Sequence, residues 1–311
     1  MKYLVKKLIT LIITLLLVSC AAFIAFQVIP GDSVTLALGT DFTEEAAEQM
    51  REELGLNRSI PARFADWMAG AVRGDFGTSS QYKQPVSQLI ADRLPVTIWL
   101  AVLSMLMITV ISVPLGILAA KSSGGILDRM ITLITQITMA IPPFFLGIIL
   151  TLVCGILLSW FTPGKYVAPD KDFSAFLHYM IFPAMAVSIP KIAMVVKFLR
   201  GSVLRQLSLD YVRTARSKGN KESAVLVRHV LKNALIPVVT FLAMVTADVL
   251  AGSIIIEQVF NLPGLGRLLV VSISNRDFAV VQAIILYIAF VVVLINFLVD
   301  LLYRWLDPRV E

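Results

Sequence analysis

The sequence predicts an all-α integral membrane protein with about six transmembrane helices. Of its 311 residues 58% are hydrophobic and 15% are charged, whereas a soluble domain carries about 25% charged residues. The charges are missing from a few long stretches rather than thinned evenly. Those stretches are continuous apolar runs, as lipid-spanning helices require, and not the short alternating segments of a barrel.

A spanning helix needs about 20 apolar residues at ~1.5 Å rise each. Leu8 to Ile29 is uncharged and makes the first candidate. Leu17-Val18-Ser19-Cys20 looks like a lipoprotein processing site after a basic start. A signal peptide ends its short apolar region at such a site, but here the run continues past Cys20 to Ile29, which suits a retained helix. Leu94 to Ala120 makes the second span. Met130 to Gly164 makes the third, long enough for a tilted helix or for a span plus an interfacial turn. Tyr179 to Val196 holds only Lys191, Ala234 to Ile256 holds only Asp248, and Phe278 to Val299 is uncharged. Cys154 falls within an apolar run and reads as a small core residue.

The net charge of +6 need not mean nucleic acid, because Lys and Arg gather in short cytoplasmic loops of membrane proteins. With the N-terminus inside, the inner segments hold Lys2, Lys6 and Lys7, then Lys121 and Arg129. A long basic run from Lys197 to Lys232 follows, then Arg304 and Arg309. The 30–93 loop falls outside and is acidic on balance. The topology is therefore N-in and C-in. Basic inner loops also suit anionic lipid.

The chain divides into residues 1–29, with a short tail and the first span; an extracytoplasmic loop region, 30–93; and a core of five further spans, 94–311. Within the outer loop, Thr43 is positioned to cap a short helix through Leu54 that Gly55 ends. A second helix starts at Ile60-Pro61, with Phe64, Trp67, Met68 and Ala71 at helical spacing. Gly74-Asp75-Phe76-Gly77 then breaks the chain. This region is either a cap over the membrane domain or a docking surface for an external partner.

The cytoplasmic stretch 200–233 carries more. Leu204, Leu207, Tyr211, Val212 and Ala215 lie on one stripe of a predicted amphipathic helix. Gly219 can cap that helix and Asn220 can start the next. A plain connector has no face to bury, so the stripe argues for a lever that another protein grips.

Asp210-Tyr211-Val212-Arg213-Thr214-Ala215-Arg216-Ser217-Lys218-Gly219 resembles the coupling loop of the dipeptide, oligopeptide and nickel ABC permeases. That loop varies the general importer motif of Glu-Ala-Ala followed by Gly. Here Arg213-Thr214-Ala215 stands for Glu-Ala-Ala, with Gly219 in register. The lost acid and the late Pro237 depart from the general pattern as the peptide/nickel branch does. Other segments resemble the family in order: Val28-Ile29-Pro30-Gly31-Asp32, Leu54-Gly55-Leu56, Gly74 to Gly77, Leu94-Pro95-Val96-Thr97 and Ile141-Pro142-Pro143-Phe144 at a bend in helix three. Glu257 to Arg267 and the end at Asp307-Pro308-Arg309 complete the series.

The resemblance implies a type I ABC importer permease fold in a bacterial inner membrane. It implies a second, similar permease in a heterodimer, two cytoplasmic ATPases that bind ATP and Mg, and an extracytoplasmic solute-binding protein. Tyr211, Val212, Arg213, Thr214, Ala215, Arg216, Lys218 and Gly219 would form the coupling contact, with Tyr211, Val212 and Ala215 entering a groove of the ATPase. Peptides are the implied solute; nickel, metal chelates and glutathione use the same architecture.

The chain's own chemistry is sparse. No Gly-x-x-x-x-Gly-Lys-Ser/Thr phosphate loop occurs, so ATP hydrolysis is not expected of this chain. His178 and His229 lie far apart, and no metal cluster, cofactor or catalytic residue is predicted. Lys191 and Asp248 are the informative residues, because a charge inside a span costs at least about 2.5–3.5 kcal/mol. They either face the translocation path, as a pair between helices four and five, or only pack two helices together. Glu257, Phe260, Pro263, Gly264, Gly266 and Arg267 belong to an outer turn or re-entrant scoop that contributes to the path, or to a plain interfacial loop. A stand-alone secondary carrier is the competing reading; it has no use for a basic lever loop, and no internal repeat is visible.

Overall fold

The computed structural model describes residues 2–28, 43–53 and 57–306. Ile29 to Asp32, Leu54-Gly55-Leu56 and Asp307-Pro308-Arg309 lie outside the described residues. Among those described, regular structure is helical, apart from an isolated bridge between Thr78 and Pro85. In chain order the helices are α1 (Lys2–Val28), α2 (Glu44–Glu53), α3 (Ile60–Val72), α4 (Val86–Lys121), α5 (Ile126–Met139) and α6 (Pro143–Leu157). They continue as α7 (Phe173–Leu207), α8 (Asp210–Ser217), α9 (Glu222–Val259), α10 (Leu265–Ser274) and α11 (Phe278–Leu306).

Helices α1, α4, α7, α9 and α11 are long and apolar enough to cross a membrane, and α5 with α6 makes a sixth span bent by 96°. The bend is local chemistry. Pro142 is extended at φ −61° and ψ 139°, and Pro143 begins α6. A proline offers no N–H and pushes the residue before it out of helical geometry, so two in succession end one helix and permit a new one. The third span is thus a break, where a tilted helix was one expectation. Its last stretch, Thr151–Leu157, is π-helical.

The chain forms two compact units, residues 1–96 with 263–294 and residues 97–262 with 295–311. Residues 263–294 thus group with the N-terminal segments.

The second unit is built round α7, which packs against α5, α6 and α9. Two thirds of its apolar window, 67%, is buried, as expected of a helix apolar nearly all round. Asp172 caps it by accepting from the Ala175 amide at 3.0 Å. At Gly116 a β-carbon would fall 2.8 Å from Leu199 Cδ2, so α4 approaches α7 closely there.

In the first unit, Phe23 of α1 meets Phe64 and Trp67 of α3 at centroid distances of 5.4 and 6.0 Å. The buried Asp277 carboxylate accepts from the Ser79 hydroxyl and from the amides of Ser80 and Gln81. This carboxylate pins the 78–85 loop to the turn before α11.

Candidate functional site

The cytoplasmic loop begins where α7 stops. The Ser208 hydroxyl donates to the Arg205 carbonyl at 2.8 Å, and Leu209 is extended at φ −83° and ψ 152°. Serine hydroxyls compete in this way for helical carbonyls, and Asp210 is well placed at the positive end of a new helix. The predicted stripe is therefore split: Leu204 and Leu207 end α7, whereas Tyr211, Val212 and Ala215 lie on α8.

Helix α8 packs on the π-helical start of α9, Val225–Val230. Val212 is 0% and Ala215 7% exposed, with Val225, Leu226 and Val230 also buried. Tyr211 Oη donates to Gln206 Oε1 at 2.8 Å. The apolar face expected to enter an ATPase groove is thus spent inside the chain. Arg213, Thr214, Arg216, Ser217 and Lys218 turn outward instead.

Past α8, Gly219 is at φ +78° and its amide donates to the Arg216 carbonyl at 2.9 Å. A side chain at such φ costs roughly 1–2 kcal/mol. Asn220 Nδ2 donates back to the Ala215 carbonyl at 2.9 Å, and Lys221 rather than Asn220 precedes α9. Arg216 meets Glu222 at 2.8 Å. The turn is closed, so α8 is held to α9 at its C-terminal end as well as along its buried face.

An ion pair that no sequence motif marks joins α5 to α7. Arg200 of α7 donates Nε to Asp128 Oδ1 at 2.5 Å and a terminal nitrogen to Oδ2 at 2.7 Å. The Gly124 amide adds a third donor at 2.9 Å. Bidentate Arg–carboxylate pairs are among the strong hydrogen bonds of proteins. The only sequence signal was an acid in the first turn of α5, 72 residues from its partner.

The structure brings Lys191 and Asp248 together across α7 and α9, with Nζ 2.8 Å from Oδ2. The side chains differ in access, 18% exposed for lysine and 60% for aspartate. Glu257 and Phe260 instead face the interior, at 0% and 2% exposure. Glu257 accepts from Thr97 at 2.6 Å, and the Phe260 carbonyl accepts from Tyr179 Oη at 2.6 Å. Pro263 is half-buried, Gly264 caps α10, Gly266 is buried and Arg267 is half-buried. Glu257 and Phe260 therefore hold the turn's shape and line no open surface of the chain.

His178 Nε2 lies 2.6 Å from the Trp160 carbonyl. Among the described residues no group of three or more His, Cys, Asp or Glu is placed to hold a metal ion.

The model of the binding-protein-dependent transport system inner membrane component family matches residues 112–311, and its N-terminal companion matches residues 1–101. The chain belongs to this family.

Similar relatives match along nearly the full length of this chain. The probable peptide ABC transporter permease protein y4tP of Sinorhizobium fredii is 37% identical, with 99% of each chain covered. The oligopeptide transport system permease protein AppB of Bacillus subtilis is also 37% identical over 99% of each chain. The glutathione transport system permease protein GsiC of Pectobacterium atrosepticum is 38% identical, over 100% of this chain and 99% of the relative. A crystal structure of an amino acid ABC transporter with histidines shares the fold at TM-score 0.54 and 17% identity, covering 70% of this chain and 94% of that one.

The permease is a multi-pass subunit of an ABC importer in the bacterial inner membrane. It transports without an ATPase site of its own and works with ATPase and binding-protein partners.

Proposed function

We propose that this permease forms half of a translocation path for di- or oligopeptides, beside a second, distinct permease of the same family. In this reading two ATPase subunits bind ATP and Mg and grip the outward face of α8. A solute-binding protein delivers the peptide from the other side. The solute reading is supported by full-length similarity to relatives named for peptide and oligopeptide transport.

The observation that carries the mechanism is the way α8 is held. Its apolar side is locked to α9, and its outward side offers Arg213, Thr214, Arg216 and Lys218. A push on that face moves α8 and α9 as one piece. Lys191 lies about 24 Å up α7 from that helix's cytoplasmic end, counting ~1.5 Å per residue. It contacts α9 through Asp248, so a motion of α9 against α7 changes this pair directly. The pair is our candidate for a polar station on the path, since intramembrane charges ordinarily face cavities or each other.

The test is affinity purification of the tagged permease from mild detergent, in wild-type form and as Arg213→Glu and Gly219→Glu. The wild type should bring down a second permease and ATPase subunits. Both variants should lose the ATPases and keep the second permease. Retention of ATPases by both variants would remove α8 as the grip.

A second reading has its own support. The relatives named for glutathione transport match as well and as completely, and glutathione is itself a small peptide carrying several charges. Uptake of labelled glutathione against labelled dipeptides separates the two cargoes.

A further inference from the structure

The first unit contains a groove of about 490 Å³ between α1, α3 and α11, lined almost wholly by carbon. Leu15, Leu16, Ala71, Val72, Leu286 and Phe290 make most of its wall. Among the described residues its polar lining side chains are Ser19 and Tyr287. The Ser19 hydroxyl is already committed to the Leu15 carbonyl at 2.6 Å. A peptide in this groove would leave its backbone amides unpaired, and water would fare no better. Two of the three walls, α1 and α11, are membrane spans, so the groove opens at hydrocarbon depth.

The third wall, α3, reads as an interfacial helix. Phe64 and Trp67 pack down on Phe23 of α1, whereas Arg58 and Asp66 form an exposed pair on the other side. Such a helix lies at the boundary between acyl chains and headgroups, where Trp is favoured. Trp67 Nε1 is buried with no acceptor among the described residues. A second hollow of about 530 Å³ shares Met68 and Val72 with the groove and reaches Arg73 at the C-terminal end of α3. Arg73 is exposed and has no ion-pair partner among the described residues. The apolar groove, the adjoining hollow and the exposed guanidinium at its rim have the order of a phospholipid: tail, glycerol region, phosphate.

We propose that this groove is a phospholipid site, with one acyl chain between α1, α3 and α11 and the phosphate held by Arg73. The lipid completes the packing of α3 against the two spans, and a guanidinium holds phosphate through paired N–H donors. The site is independent of the solute and of the coupling loop.

The test is native mass spectrometry of the intact transport complex released from phosphatidylglycerol nanodiscs. Wild type should keep one more phospholipid than Leu16→Trp or Ala71→Trp, each of which fills the groove. Arg73→Glu lies on the surface and leaves the wall intact, so it tests the site even where a tryptophan disturbs folding. Its retention of that lipid should fall about tenfold, the effect of one charge-assisted contact. A photoactivatable phospholipid should label the residues of the groove. Equal lipid counts in wild type and all three variants would overturn the proposal. So would a disulfide between Leu16→Cys and a cysteine in the partner permease, which would put a protein helix in the groove.

Discussion

Lys191 and Asp248 show how much one residue's surroundings decide. Each charge alone would be costly within a span; together they are 2.8 Å apart on neighbouring helices. Their unequal exposure, 18% against 60%, makes the two substitutions unequal. Asp248→Leu strands a mostly covered ammonium and should destabilise the permease by up to about 2.5–3.5 kcal/mol. Lys191→Met leaves a carboxylate already open on one side and should cost less. The double variant should recover part of the Asp248→Leu loss, because no charge is left without its partner. Thermal unfolding followed by size-exclusion fluorescence measures this; strictly additive losses would show that the two charges do not stabilise each other. Uptake tests the path reading separately: unchanged transport in all three variants would leave the pair with a packing role alone. Arg200 and Asp128 differ, since the aspartate is buried and receives three donors. That pair ties the start of α5 to α7.

Among the elements, the broken span is the one whose cause can be isolated. Helices α5 and α6 are each apolar, and Pro142-Pro143 separates them with a 96° bend. A proline inside a helix costs about 3 kcal/mol. Pro143→Ala, with Pro142→Ala beside it, should let the chain between Met139 and Phe144 approach continuous helix. Spin labels at the exposed positions Ile134 and Ile148 should then move apart. An unchanged distance would show that packing of α6 on α7 and α9, and not the prolines, holds the bend. Helix α8 makes the complementary point. It has only 8 residues, too few to be stable alone in water. Its burial against α9 and the closed turn at Gly219 make it a rigid handle.

For the whole molecule the governing fact is incompleteness. An importer permease without an ATPase site depends on its partners for energy. Reconstituted alone in vesicles, the purified permease should show no uptake under an ion gradient. With its ATPase and binding-protein partners and ATP, and the second permease proposed above, it should take up labelled peptide. Gradient-driven uptake by the chain alone would return the stand-alone carrier reading. The proposed lipid belongs to this scale too, because the first unit has a carbon-lined gap that the described residues leave unfilled.

Helix class, number of spans and the place of the break were all readable in one dimension. Lipid demands long uncharged runs, and proline acts on its immediate neighbours, so both effects leave local marks. The short helix at 210–217 and its glycine turn were readable for the same reason, through a local stripe and Gly219. The partner of its apolar face was not, because a helical stripe announces burial without naming what it packs on; Val212 and Ala215 face α9 of the same chain. Likewise nothing local marks the acid at 257 as buried, accepting from Thr97 160 residues away. The Arg200–Asp128 pair and the Ser79–Asp277 clip join residues 72 and 198 positions apart. Their partners are chosen by how whole helices pack, and that choice depends on the shape of every side chain between them.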